Sequence, residues 1–323
     1  MPRLSIVIPC LGGAAEFDGT LVSVLQNRPK DCEILVAHAA AYDDPYGLSG
    51  EVAFLQCQET SLVALVNAAL ERATGEIVHI VGCGLEVADG WTAAAVSHFD
   101  DREVAAVTPA VLSGDGSLAN AGVRYTLGGS RHLVTDQRLL RPGTERLRTK
   151  VLGPALAAAF YRREVLVALG GLDATATDQF ADVDLALAIR ALGHLHICEP
   201  NSQLLQNEPV PASTAGFTRG RAAERLFWRY AALRGMTASL LLHPCALVAE
   251  LAVHLPKLSA LTSLIGRAVA TFEFGAAQRL ENRLTIAREK LAELSTLRET
   301  IRIPAARQKK QPIPIAKSQR RAA

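Results

Sequence analysis

EIVHIVGCGLEVADGW, residues 76–91, decides how the chain is read. Apolar residues Ile77, Val78, Ile80 and Val81 make a strand-length run that breaks at Gly82 and Gly84, and the chain resumes at Asp89-Gly90-Trp91. Working outward, the same apolar, β-branched pattern recurs at LSIVIP (4–9), EILVAHA (33–39), VAFLQC (52–57) and VAAVTPAVL (104–112). Helix-like segments lie between these runs at 20–28, 61–73 and 91–99. In the second, Leu62, Leu65, Val66, Ala69 and Leu70 share one face and Gly75 supplies a stop. Strands alternating with helices predict an α/β fold with a mostly parallel central sheet and helices on both faces. Ligands of such sheets bind beyond the carboxyl ends of the strands, which places the site at 9–13, 38–44 and 82–86.

Composition narrows the function classes. The chain has 323 residues, 49% hydrophobic and 20% charged, with a net charge of +2, enough to bury a large core and too balanced for a disordered or nucleic-acid-coating protein. Cys10, Cys32, Cys57, Cys83, Cys198 and Cys245 show no C-x-x-C spacing, which reads as reduced, mostly buried thiols in a cytoplasmic protein. The apolar run in MPRLSIVIPC is shorter than a secretion signal requires.

Taken together, SIVIPCLGG (5–13), TLVSVLQN (20–27), EILVAHAA (33–40) and NAALERATGEIVHIVGCG (67–84) followed by DGW (89–91) resemble, in order and spacing, the nucleotide-sugar domain of family 2 glycosyltransferases of the GT-A type. DGSLANAG (115–122), FYRREVLVALGGLD (160–173) and FADVDLALAIRALGH (180–194) are similar to that family's acceptor half. The resemblance covers roughly residues 3–208 and implies a glycosyltransferase-like domain at 1–210, a helical region at 211–300 and a basic, flexible tail at 301–323.

The resemblance also implies chemistry, from which this sequence departs. Family members hold manganese or magnesium against the sugar diphosphate with an Asp-x-Asp pair, because hard oxygen ligands suit a cation that offsets pyrophosphate charge. Gly82 and Gly84 stand at those positions. His38 and Ala39 replace the base-contacting aspartate at the end of the second strand, and Gln206 and Asn207 fall where a further metal-binding histidine is often found. Donor binding is accordingly assigned to Pro9, Cys10, Leu11, His38, Gly82, Gly84 and Glu86, with no metal ligand. Glu86, Asp43 and Asp44 are read either as replacement ligands or as solvated loop carboxylates.

On the acceptor side, Asp182 takes the place of the family's catalytic base and Asp184 follows it; plain helix-start chemistry is the competing account of both. Arg162 and Arg163 are placed at the acceptor edge by the resemblance. Ala181 departs from the family's usual glutamate. The implied function is transfer of a sugar from a nucleotide-sugar donor to a glycan or lipid-linked acceptor. The alternative is a non-catalytic pseudoenzyme acting as a binding or scaffolding module in envelope or exopolysaccharide assembly.

Beyond residue 211 the pattern is helical. Residues 221–234 mix arginines with Leu226, Phe227, Trp228 and Tyr230, a pattern compatible with a membrane surface, and together with the basic tail they suggest peripheral contact at the inner membrane face. Residues 236–256 carry too many polar groups to span a bilayer. Leu280, Leu284, Ala287, Leu291 and Leu294 are spaced as in a self-packing helix. Nothing points to specific nucleic-acid recognition or to an oligomeric state.

Overall fold

The computed structural model describes residues 2–308 apart from 13, 41, 43, 127, 207–215, 235–236, 238–239, 246, 249–257 and 274. Strand β1 (Leu4–Cys10) is buried along its whole length, as expected of a central parallel strand. Helix α1 (Ala14–Gln26) leads to β2 (Cys32–His38), which is followed by β3 (Ala53–Gln56), helix α2 (Leu62–Arg72) and β4 (Ile77–Val81). β2 and β4 flank β1, and β3 flanks β2, all parallel. The crossover helices leave little other choice, and the predicted parallel sheet is present.

The second half turns the sheet mixed. β5 (Leu85–Val87), α3 (Ala93–Ser97), β6 (Val104–Ser113), β7 (Leu118–Asn120), a hairpin of β8 (Val123–Tyr125) and β9 (Arg131–Leu133), and a short α4 (Glu145–Arg148) precede β10 (Ala158–Arg162). β10 runs antiparallel between β4 and β6. After α5 (Arg163–Ala168) and α6 (Ala181–Ala191), β11 (Leu195–Gln206) pairs with β6 in parallel and with β5 in antiparallel. The full order is β3-β2-β1-β4-β10-β6-β11-β5, with β7 on β6.

Two contacts tie the early helix α2 to the later half. Its first amides, Leu62 N and Val63 N, donate to the Asp178 carboxylate at 2.9 and 3.0 Å, a charged cap supplied from 116 residues downstream. Asn67 donates to Leu172 O at 2.9 Å and accepts from Leu172 N at 2.8 Å. Gly171 makes that approach: φ is +80°, and a Cβ there would lie 2.5 Å from Asn67 Oδ1.

The C-terminal helices share the sheet's core. Helix α7 (Gly216–Arg234) buries Ala223, Leu226, Phe227, Tyr230 and Ala231, of which Ala223, Leu226 and Tyr230 join the cluster under the sheet. It packs on the helix Leu258–Thr271 through small residues: a Cβ at Gly220 would sit 1.9 Å from Ser263 O. The face of 221–230 that carries Leu226, Phe227 and Tyr230 is protein core, Arg221 and Arg225 are paired with Glu273, and nothing among the described residues shows membrane contact. The long helix Ala276–Gln308 runs past residue 300, where the tail was expected to begin, and buries Leu280, Leu284 and Ala287. The basic tail at 309–323 and most of 236–256 lie outside the described residues. Among those described, no helix is long and apolar enough to cross a membrane.

Candidate functional site

The carboxyl ends of β1, β2 and β4 converge on one edge, and the predicted donor residues Pro9, Cys10, Leu11, His38, Gly82 and Gly84 all lie there. Leu11 is 46% exposed, whereas Cys10 and His38 are buried. His38 donates from Nδ1 to Ala40 O at 2.7 Å, and its ring faces Tyr42 and Phe54. Tyr42 stacks on Phe54 at a ring spacing of 5.1 Å and meets Phe17 edge-on at 5.0 Å, forming a small aromatic cluster.

The two glycines are structurally required. Gly82 donates its amide to Ala157 O at 2.8 Å, and a Cβ at Gly82 would stand 2.9 Å from that alanine's Cβ. Gly84 has φ +85°, in the left-handed region, and its amide donates to Thr20 Oγ1 at 3.0 Å. An Asp-x-Asp pair grafted here meets a clash at one position and backbone strain at the other.

The remaining carboxylates do not make up the loss. Asp44 closes its own loop by accepting from Leu48 N and Ser49 N at 2.8 and 3.0 Å. Glu86 lies on β5 opposite Leu205, with its carboxylate toward Gly19 of α1. Asp43 and Asn207 lie outside the described residues, and Gln206 ends β11. Among the described residues no three His, Cys, Asp or Glu side chains are grouped to hold a metal ion. The described residues at this edge therefore do not fit the family's divalent cation.

Asp182 and Asp184 occupy the first turn of α6, 1% exposed each. Arg131 of the β8–β9 hairpin grips Asp182 with Nε at 2.9 and 3.1 Å and Nη2 at 2.6 Å. Val183 N and Leu156 N donate to the same carboxylate at 2.8 and 3.4 Å. Both oxygens are thus occupied, and the segment that carries Leu156 and Ala157 stands between this aspartate and Gly82. Gly153 admits α6 here, since a Cβ would lie 2.5 Å from Ala186 Cβ. Asp184 accepts from Tyr230 Oη and Arg283 Nη1 at 3.0 Å each and pairs with Arg229 at 3.2 Å. It joins α6 to two C-terminal helices.

Arg162 and Arg163 are corrected. β10 is antiparallel, so Arg162 pairs with Ile77 at the start of β4, at the edge opposite the donor residues. Arg162 is 2% exposed and donates to the carbonyls of Val104, Phe99 and Asp101 at 2.7–3.0 Å, and Arg163 donates to Gly75 O. Both are structural donors closing the sheet's amino end.

The sequence reading missed Asp18 and Tyr42. Asp18 Oδ1 and the Tyr42 hydroxyl are buried with no hydrogen-bond partner among the described residues, and both groups bear on Cys10. Buried polar atoms ordinarily find partners, so an unmatched pair at a ligand edge suits a polar ligand. The available signal was position alone: a carboxylate in the helix after the first strand and an aromatic in the loop after the second. A cavity of about 250 Å³ adjoins the start of α6, with Thr175, Thr177, Phe180, Leu226, Arg225 and Arg279 in its lining.

Comparisons with known proteins identify the fold. The mannosyltransferase PcManGT from Pyrobaculum calidifontis, solved in complex with GDP-Man and Mn2+, matches with a TM-score of 0.51 at 19% identity, over 90% of this chain and 86% of that one. GalNAc-T7, solved with UDP, GalNAc and Mn2+, matches with a TM-score of 0.53 at 17% identity, over 72% of this chain and 48% of that one. The chain has the fold of GT-A glycosyltransferases. By sequence it is 32% identical over 154 residues to the uncharacterized protein y4gI of Sinorhizobium fredii, and 29% identical over 151 residues to the O-antigen biosynthesis protein RfbC of Myxococcus xanthus. Each match covers 45% of this chain, and it spans only 17% and 12% of those relatives' lengths. No family model matches.

Proposed function

We propose that this chain is a glycosyltransferase-type protein of surface-polysaccharide assembly that receives a nucleotide-sugar donor without a protein-held cation, and that it acts as a binding module in place of a metal-dependent transferase. The end of β4 carries the reading: Gly82 has no room for a side chain and Gly84 has a left-handed backbone, so the position that would bridge cation and pyrophosphate is built as bare backbone. Asp18, Tyr42 and the His38–Phe54 cluster supply polar and aromatic contacts for the nucleoside, and the arginine-lined cavity beside α6 suits an anionic, lipid-linked or glycan acceptor. The relative named for O-antigen biosynthesis supports the setting.

One observation favours active transfer as a second reading. Arg131, which blocks Asp182, sits on a two-stranded hairpin outside the main sheet, so its withdrawal on acceptor binding frees a carboxylate for base catalysis. Titration calorimetry with a panel of nucleoside diphosphates and nucleotide sugars, with and without manganese, tests both. Weak binding indifferent to manganese, with no sugar released or transferred, is expected. Tight binding only with manganese overturns the proposal, and manganese-independent transfer favours the second reading.

A further inference from the structure

Gly82 and Gly84 flank Cys83, and Cys83 faces Cys10. β1 and β4 are parallel and in register, Leu4 opposite Ile77 through Val7 opposite Ile80. Three residues beyond that last pair each chain reaches a cysteine, Cys10 on β1 and Cys83 just past β4. The ladder itself ends at Val7 and Ile80 and Cys83 lies in the turn past β4, and adjacent strands about 4.8 Å apart set the scale of the gap, against the roughly 4.4–6.8 Å Cα separation that a disulfide bridges. The Cys83 thiol donates to Pro9 O at 3.4 Å, which holds its sulfur over the end of β1 beside Cys10.

We propose that Cys10 and Cys83 form a reversible dithiol site on the donor edge, which a small-molecule disulfide converts to a cross-link between β1 and β4. The Cys10 thiolate attacks one sulfur of the disulfide and expels a thiolate. Cys83 then loses its proton and attacks Cys10 Sγ, breaking the mixed disulfide and expelling the second thiolate. One disulfide is reduced to two thiols while two cysteines are oxidised to one bridge.

The division of labour follows the surroundings. The neighbouring Cys83 thiol lowers the Cys10 thiol to about 7, against burial and the charges of Asp18 and Glu16, which push it up. Cys10 in turn, with burial, pushes Cys83 upward. At neutral pH Cys10 then holds roughly tenfold more thiolate than an ordinary exposed cysteine. Cys10 is 9% exposed and Cys83 partly exposed, both at the donor edge. All six cysteines are free thiols in the structure.

The test is thiol mapping on the full chain. After incubation with oxidised glutathione, remaining thiols are alkylated and peptides are identified by mass spectrometry. A Cys10–Cys83 linked peptide, four alkylated cysteines and full return to six with dithiothreitol are expected. With Cys83→Ser, a glutathione adduct should accumulate on Cys10 for want of a resolving thiol. A cross-link between any other pair, or six alkylated cysteines under glutathione ratios that oxidise an ordinary dithiol, overturns the proposal. The unmodified chain carries the test even where a serine variant fails to fold.

Discussion

Removing the guanidinium that grips Asp182 is the most informative single perturbation. Arg131→Met deletes three close N–H contacts to a carboxylate whose side chain is 2% exposed, leaving only the Val183 and Leu156 amides. Breaking a fully buried ion pair from one side costs about 3–5 kcal/mol; the arginine side chain here is 22% exposed, which lets water reach the vacated place and brings the expected loss to about 2–4 kcal/mol. Adding Asp182→Asn removes the stranded charge while an amide oxygen still accepts from Val183 N. The double variant should therefore recover at least half of the loss, as coupled neighbours do. Urea unfolding at neutral pH, followed by the fluorescence of Trp91 and Trp228, reads both numbers. A loss below about 0.5 kcal/mol for Arg131→Met, or a double variant as unstable as the sum of the singles, refutes the account of Asp182 as a buried, clamped anion.

Three further outcomes follow from the same structure. Burial pushes Asp173 up, but the Thr175 hydroxyl and the Arg229 guanidinium outweigh it and bring its carboxyl from 3.8 to about 2; its stabilisation, about 2 kcal/mol, is present above pH 3.8 and lost as pH falls toward 2, so Asp173→Asn should flatten that acid limb in unfolding curves. Burial holds His79 at about 3, far below 6.5, with Nδ1 donating to Ala159 O. As pH falls below 6.5 the unfolded chain gains a proton that the folded chain refuses, costing about 1.4 kcal/mol per pH unit, and His79→Gln should remove that slope in thermal melts; an unchanged slope contradicts the burial argument. Gly84→Ala should cost about 1–2 kcal/mol through its left-handed backbone, while Gly50→Ala, in open space, should change stability by less than about 0.5 kcal/mol.

The parallel half of the fold was legible because its strands are mostly apolar, β-branched runs and α2 has a clear apolar face. Ser61 caps α2, accepting from Ala64 N at 3.1 Å. β10 was not legible. Its residues, AAFYR, run straight into a helix, and the two arginines drew attention as charges when each spends its donors on backbone carbonyls. The same error recurs at α7, where arginines among aromatics looked like a surface stripe. Arg229 and Glu224 are buried there and paired with partners far off in sequence, Asp173, Asp184, His243 and Arg267, which no local pattern announces. At the site, the glycines were legible as departures from a family pattern. Asp18 and Tyr42 were not, because what marks them is an unmatched atom in three dimensions.

The cap that Asp178 places on α2 has a consequence for the newborn chain. Leu62 and Val63 leave the ribosome 116 residues ahead of the carboxylate that holds them, which at about 5–20 residues per second is a wait of roughly 6 to 20 seconds. β10, which covers the open edge of β4, also arrives late. Throughout that interval a strand with four apolar residues around His79 presents unpaired backbone to solvent, the condition in which chains join edge to edge. Protection during synthesis, by a chaperone or by slow, dilute expression, should therefore govern the yield of this protein more than the stability of its finished form does, and fragments ending before residue 158 should collect as insoluble material.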